Sequence, residues 1–101
     1  MSEVSLLTNH ARALVCVAQD PDVRLREIGS KLGITERSAY TVVDDLTEAG
    51  YVVKERVGRR SRYTVQVGAP LDEGIGRQVK VGDLLGVLVG SPGRKQQSNR
   101  S

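Results

Sequence analysis

The feature that most constrains the fold is the stretch Leu32-Gly33-Ile34-Thr35, where the sequence pattern requires one helix to end and another to begin. Gly33 can take the left-handed conformation that ends a helix, because it has no Cβ to clash. Thr35 can then accept a hydrogen bond at the N-terminus of the next helix. The sequence therefore predicts two helices joined by a tight turn.

Apolar residues at helical spacing predict three helices in the first half of the chain, over residues 6–19, 25–32 and 35–49. The core positions of the first helix are Leu7, Ala11, Leu14, Val15 and Ala18. Those of the second are Leu25, Ile28 and Leu32. Those of the third are Ala39, Val43, Leu46 and Ala49, with Ile34 just before them. Gly50 ends the third helix.

The second half of the chain begins with two β-rich runs, residues 51–57 and 62–67, joined by Gly58-Arg59-Arg60-Ser61. Short connections that contain glycine favour a hairpin. Residues 23–25 are predicted to be a short extended piece that pairs with it. After a loop, an apolar stripe predicts a short helix over about 79–89, although Gly82 and Gly86 weaken it. Residues 1–89 thus form one α+β domain, and 90–101 are predicted to be a disordered basic tail.

Composition excludes several classes of function. The chain has 101 residues, one cysteine and three aromatic residues, all tyrosines. It contains no nucleophile and base pair, no phosphate-binding glycine loop and no cluster with metal-ligand spacing, so we expect no enzyme activity, no cofactor and no metal. Without a membrane span or a signal peptide, a cytoplasmic protein is expected.

His10 and Cys16 are the two residues whose chemistry needs an interpretation. His10 has no metal-ligating companions, so we interpret it as structural. Cys16 falls opposite the core arc of the first helix, where an exposed position is expected. A small residue at a helix contact is favoured over a redox switch, because the chain offers no second cysteine to resolve an oxidised one.

Positive charge is concentrated in the hairpin: residues 54–62 hold five Lys or Arg against Glu55, in a chain of net charge +3. A helix, a tight turn, a second helix and a basic hairpin are the layout of a winged helix-turn-helix, with a three-helix core, a hairpin wing and a short C-terminal helix. This fold predicts double-stranded DNA as the partner. A plain helical hairpin is the alternative to the helix-turn-helix. A merely solvated turn is the alternative to a hairpin tip that binds DNA.

The predicted DNA-binding residues fall into two groups. Residues at the start of the third helix would read base edges in the major groove, and hairpin residues would hold phosphate or enter the minor groove. The first group is Thr35, Glu36, Arg37, Ser38, Tyr40 and Thr41, and the second is Lys54, Arg56, Arg59, Arg60, Ser61 and Arg62. Arg37 can grip guanine in a bidentate fashion, and Glu36 can accept from cytosine.

Three outward residues of the third helix leave alternatives open. Tyr40 could pack in the protein instead of reading bases. Asp44 and Asp45 would repel phosphate, so a salt bridge within the protein is the favoured role for both.

A homodimer is also predicted. The apolar arc of the first helix covers about 200°, more than one core contact requires, and the last helix needs cover for its own apolar face. The residues assigned to the interface are Leu6, Ala13, Val17, Val81, Leu84, Leu85 and Leu88. The alternative is packing of the last helix on the first within one chain.

Three motifs carry a resemblance to a known family: the turn and helix GITERSAY, the helix end DLTEAGYV and the hairpin ERVGRRSRY. With them, residues 6–89 resemble compact MarR-type winged-helix transcriptional regulators of actinobacteria. The resemblance implies dimeric, repressor-like binding to operator DNA, and leaves any effector ligand unknown. Many members carry a basic residue where Thr41 stands and a longer C-terminal helix pair. A protein-interaction adaptor is the rival interpretation.

Overall fold

The computed structural model describes residues 5–71, 74, 76 and 78–89. The described chain is α+β, as predicted, with three helices, an antiparallel hairpin and a C-terminal helix. The elements are α1 (Asn9–Gln19), α2 (Leu25–Leu32), α3 (Glu36–Glu48), β1 (Val52–Val57), β2 (Arg60–Val65), β3 (Pro70–Leu71), β4 (Val79–Lys80) and α4 (Val81–Leu88). The predicted tail, residues 90–101, lies outside the described residues.

Helix α1 begins three residues later than predicted. Thr8 has extended backbone angles and its Oγ1 accepts a hydrogen bond from the Ala11 N–H at 3.2 Å. This cap fixes the first helical residue as Asn9. Leu6 therefore precedes the helix and is 93% exposed, so it is not part of the apolar arc of α1.

The turn between α2 and α3 confirms the prediction. Gly33 has φ +76° and ends α2 in the left-handed conformation. Thr35 Oγ1 accepts a hydrogen bond from the Ser38 N–H at 3.0 Å, and α3 begins at Glu36. The Ile34 N–H also donates to the Gly29 carbonyl at 2.8 Å, which ties the turn back to α2. These hydrogen bonds fix the path of the chain from α2 to α3.

Helix α1 contacts each of the other three helices and the hairpin. This helix packs against α2 and α3 on one side and against β2 and α4 on the other. Cys16 is consequently buried, at 8% exposed, which corrects the exposed position expected from the sequence. Ala13 and Val17 are also buried within the chain. The wide apolar arc of α1 is therefore used inside one molecule.

On α3 the sequence predicted most of the inward face correctly. Ala39, Val43 and Leu46 are buried as expected. Ala49 is exposed, because it caps the C-terminus of the helix. Val42, which was not assigned to the core, is buried in its place.

The hairpin is tighter than predicted. β1 and β2 pair from Val52 opposite Val65 to Val57 opposite Arg60, so only Gly58 and Arg59 form the turn. Gly58 has φ +65°, as the first position of a two-residue hairpin turn requires. Arg60 and Ser61, predicted to lie in the connection, belong to β2 because the cross-strand hydrogen bonds extend to the turn.

The segment before α2 is extended at Arg24, as predicted, but residues 23–25 form no strand that pairs with the hairpin. Leu25 already belongs to α2, and Val23 is buried. The contact with the hairpin is made slightly earlier, where the Tyr63 N–H donates to the Pro21 carbonyl at 3.0 Å. The turn between α1 and α2 thus serves as the docking point for the hairpin.

The C-terminal region contains a second small sheet that the sequence did not predict. β3 and β4 pair antiparallel, with Leu71 opposite Val79, and lead directly into α4. α4 packs on its own chain, since the Gly82 N–H donates to the Val67 carbonyl at 2.9 Å. A Cβ on Gly82 would lie 2.9 Å from the Val67 Cβ, so this glycine permits a close approach.

This packing corrects the assignment of four residues to a dimer interface. Ala13, Val17, Val81 and Leu85 are buried in the core of the same chain, where they have almost no surface to offer a partner. The alternative considered from the sequence, packing of the last helix on the first, describes the structure. Over the part of the chain that the structure describes, no helix has the length and apolar character to cross a membrane.

Candidate nucleic-acid interface

The first two turns of α3 carry the residues predicted to read DNA bases, and all six are exposed. They are Thr35, Glu36, Arg37, Ser38, Tyr40 and Thr41. The Thr35 hydroxyl donates to Ser38 Oγ at 3.0 Å, and the Thr41 hydroxyl donates to the Arg37 carbonyl at 3.3 Å. These hydroxyls are engaged in local hydrogen bonds, which leaves the longer side chains of this face for contacts outside the chain.

Arg37 is the most available of these long side chains. Within the described part of the chain, its guanidinium takes part in no hydrogen bond or ion pair. It borders a shallow depression with Leu25, Glu36 and Tyr40. Tyr40 is 51% exposed, so the interpretation that it packs inside the protein does not hold. The depression offers one cation, one carboxylate and an aromatic edge to a ligand.

A polar cleft of about 350 Å³ lies between the hairpin turn and the first residues of α2 and α3. Its lining residues are Asp22, Val23, Arg24, Leu25, Arg26, Glu36, Arg59, Arg60, Ser61 and Tyr63. Four arginines face two carboxylates there, so the lining carries a formal excess of two positive charges. The cleft thus has the charge that an anionic group requires, and it adjoins the exposed face of α3.

Arg24 and Arg26 line this cleft but were not assigned to the site from the sequence. They flank the start of α2, with Arg24 as its N-cap residue. Helix N-termini carry partial positive charge and ordinarily favour acidic residues. The first turn of α2 has one acidic residue, Glu27, whose Oε1 accepts from the Arg24 N–H at 3.0 Å. Two arginines beside it are more positive charge than a helix start ordinarily carries, and this excess could have added both residues to the prediction.

The predicted hairpin residues divide between the two sides of the hairpin. Arg59, Arg60 and Ser61 line the polar cleft. Arg62 lines instead an apolar groove on the other side, between α1, the hairpin and α4. Lys54 and Arg56 are exposed and border neither feature. The structure thus brings three of the six residues together and leaves the other three apart.

Two of the hairpin arginines are already engaged with the turn between α1 and α2. Arg62 Nε lies 3.7 Å from Asp22 Oδ1, and both side chains are about half exposed. Arg60 Nη2 donates to the Asp22 carbonyl at 3.3 Å. Arg59, at the tip, makes no such contact among the described residues. In the free protein the turn therefore holds Arg60 and Arg62, whereas it does not hold Arg59.

Tyr63 forms the floor where the hairpin meets the cleft. Its ring is buried, and burial raises the pKa of its phenol above the ordinary value of 10.0. A hydrogen bond with Ser61 lowers the pKa, and Tyr40 raises it. Tyr63 accordingly stays neutral at ordinary pH, and it contributes packing but no charge to the cleft.

The two acidic residues of α3 have different roles. Asp45 Oδ2 lies 2.9 Å from His10 Nε2, which joins α3 to α1. This confirms a partner within the protein for Asp45 and a structural role for His10. Asp44 is exposed and has no such partner within the described residues, so the predicted salt bridge is wrong for Asp44.

Among the described residues, no group of three or more metal-ligating side chains converges. No model of a known protein family matches the sequence, and no curated protein matches it either.

Proposed function

We propose that this chain is a winged helix-turn-helix protein that binds double-stranded DNA and regulates transcription, in the manner of a repressor. The observation that carries the proposal is the polar cleft, where arginines from the start of α2 and from the hairpin turn adjoin the exposed face of α3. In this arrangement α3 lies in the major groove. The hairpin is the wing, and the cleft holds a stretch of the phosphate backbone.

The charge distribution supports phosphate as the ligand of the cleft. The whole chain carries a net charge of only +3, yet the cleft lining alone has an excess of two positive charges. Guanidinium groups bind phosphate oxygens through two parallel hydrogen bonds, which makes arginine well suited to this contact. Arg24, Arg26, Arg59 and Arg60 thus form the proposed phosphate contacts, and Lys54 and Arg56 add positive charge elsewhere on the hairpin, on β1.

Base reading is assigned to the exposed face of α3. Arg37 is free to donate to guanine O6 and N7, and Glu36 beside it can accept from a cytosine amino group. Tyr40 offers its ring edge to a thymine methyl group. Ser38 and Thr35 stabilise the helix start through their mutual hydrogen bonds, so their contribution is to orient Arg37.

A homodimer remains part of the proposal, through a smaller surface than the sequence predicted. Leu6 and Leu88 stay exposed, and Val87 beside Leu88 is 84% exposed. Leu84 is partly buried at the edge of the same helix. A two-fold axis near α4 would present two copies of α3 to major-groove faces about 34 Å apart. Such a regulator would act in the cytoplasm of a bacterium, where its DNA lies.

A protein-interaction adaptor is the second candidate, and one observation favours it. The apolar groove between α1, the hairpin and α4 has a volume of about 530 Å³ and is lined largely by valine, leucine and glycine. Val57 and Val67 border it and are exposed. Glu55 and Arg62 also line the groove, but none of the four arginines of the polar cleft does, so occupation by a protein segment would not require those four.

The proposed function is tested by fluorescence polarisation with a random-sequence duplex of about two helical turns. Four phosphate contacts predict a binding constant that falls about 150-fold between roughly 50 and 200 mM salt. A protein that binds no duplex at the lower salt concentration contradicts DNA binding and leaves the adaptor. Binding that does not change with salt contradicts the phosphate contacts.

A further inference from the structure

The turn between α1 and α2 holds the hairpin through three separate contacts. The Tyr63 N–H donates to the Pro21 carbonyl at 3.0 Å, and Arg60 Nη2 donates to the Asp22 carbonyl at 3.3 Å. Arg62 Nε lies 3.7 Å from the Asp22 carboxylate. Only the last of these contacts depends on a charged side chain of the turn. It can therefore be removed while the backbone contacts stay in place.

Asp22 is itself held in position by the turn. Its N–H donates to Asp20 Oδ1 at 3.0 Å, and the Val23 N–H donates to the Asp20 carbonyl at 3.0 Å. These bonds hold the backbone of Asp22, which lines the polar cleft, directly after Pro21, which lines the apolar groove. Arg62 has a carboxylate directly across the hairpin, on Glu55, yet its ion pair among the described residues is with Asp22.

A carboxylate at this place competes with phosphate for the same guanidinium. Both ligands offer paired oxygens with negative charge, and arginine binds each in the same planar geometry. Half-exposed ion pairs are weak, so a phosphate can displace the carboxylate. Breaking the ion pair reduces the net affinity for DNA. Asp22 also adds negative charge to the lining of the cleft, which opposes phosphate there.

We propose that Asp22 restrains the hairpin: it holds Arg62 in an intramolecular ion pair and so limits binding to duplex DNA of arbitrary sequence. The proposal rests on the proposed function, since it takes DNA phosphate as the competing ligand. In the free protein Arg59 at the tip and Arg24 and Arg26 at the start of α2 are available to phosphate. Arg62 is added only when a phosphate displaces Asp22.

The test is Asp22→Asn, which keeps the shape of the side chain and the hydrogen bonds of the turn and removes the charge. Titrations of a random-sequence duplex are expected to show affinity about threefold above the parent at low salt. The slope of log affinity against log salt is expected to become more negative by about 0.9, because one additional phosphate contact releases counterions. A residue with a purely structural role would not change this slope.

Glu48→Gln is the matched control, because Glu48 is exposed on α3, borders neither the cleft nor the groove, and loses the same charge. It is expected to leave the slope unchanged. In an Arg62→Ala background, Asp22→Asn should lose its effect on the slope, since the arginine that it releases is gone. Circular dichroism of the parent and the four variants confirms that each is folded.

The outcomes separate the two proposals. If the parent binds no duplex at low salt, DNA binding fails, and the restraint fails with it. If the parent binds but Asp22→Asn has the affinity and slope of the parent, only the restraint is overturned. An equal gain with and without Arg62 also overturns it, because Asp22 would then act by direct repulsion of phosphate.

Discussion

At the scale of single residues, glycines at two positions show why a residue type alone does not reveal its role. Gly33 is needed for its backbone, which has φ +76° at the end of α2. Gly29 has ordinary helical angles and is needed for space. A Cβ there would lie 2.8 Å from the Ile34 carbonyl oxygen and 3.1 Å from that of Thr35. The first requirement can be predicted from the sequence, and the second becomes visible only when the turn is folded back.

Gly29→Ala is expected to destabilise the protein, because the turn backbone would have to move away from α2. We expect the free energy of unfolding to fall by about 1–3 kcal/mol, the usual cost of overpacking. Urea denaturation followed by circular dichroism measures it.

Gly86→Ala is the control for the same substitution in a helix with open space, since nothing lies within 4 Å of the added Cβ. There the free energy of unfolding should rise by about 0.5–1 kcal/mol, as helix propensity improves. Equal effects of the two substitutions would show that space around Gly29 is not limiting.

At the scale of elements, α3 and the hairpin are expected to contribute differently to DNA binding. The exposed face of α3 carries Arg37, which has no partner within the described residues. In the proposed complex Arg37 contacts a base edge, and a base-edge contact distinguishes sequences. The hairpin turn presents Arg59 and Arg60 beside the cleft. Contacts from there to phosphate carry no sequence information.

Arg37→Ala should weaken binding to a duplex selected from a random pool by about 1–3 kcal/mol and leave binding to random duplex nearly unchanged. The double variant Arg59→Ala with Arg60→Ala should weaken both equally and make the salt dependence shallower. Polarisation titrations with the two duplexes measure all four affinities. A uniform loss for Arg37→Ala would contradict base reading, and parent-like binding by the double variant would contradict the wing assignment.

At the scale of the whole molecule, the packing of α4 decides which surface is left for a second copy. Val81 and Leu85 fill the core of their own chain, so a chain cut before α4 would expose Val17 and its neighbours. Truncation is therefore a poor test of dimerisation. A charge introduced on the exposed side of α4 leaves the core intact.

Sedimentation equilibrium of the intact chain at micromolar concentration is expected to show a homodimer. Val87→Glu should give a monomer, because the substitution buries a charge in the proposed interface. Val53→Glu, on the exposed part of the hairpin, is the control and should remain dimeric. An intact chain that is monomeric rejects the dimer, and a dimeric Val87→Glu variant shows that this side of α4 takes no part in it.

The sequence by itself determined the features that depend on local chemistry. The turn at Gly33, the cap at Thr35, the polar face of α3 and the basic hairpin each depend on residues within a few positions of one another. Spacing and side-chain type specify such features, so these predictions were close to the structure. The six residues predicted to read DNA bases are all exposed for the same reason.

What only the tertiary structure decided are the features that depend on which elements meet. Cys16 is buried because α1 is covered on both sides, and the arc of an isolated helix cannot show how many partners it has. Arg24 and Arg26 reach the same cleft as Arg59 because the turn between α1 and α2 docks the hairpin across more than 30 residues of sequence. Likewise, the sequence predicted only that Gly82 weakens α4. In the structure Gly82 also lets α4 pack closely against Val67. Such long-range contacts are set by packing and chain topology, which no local pattern encodes.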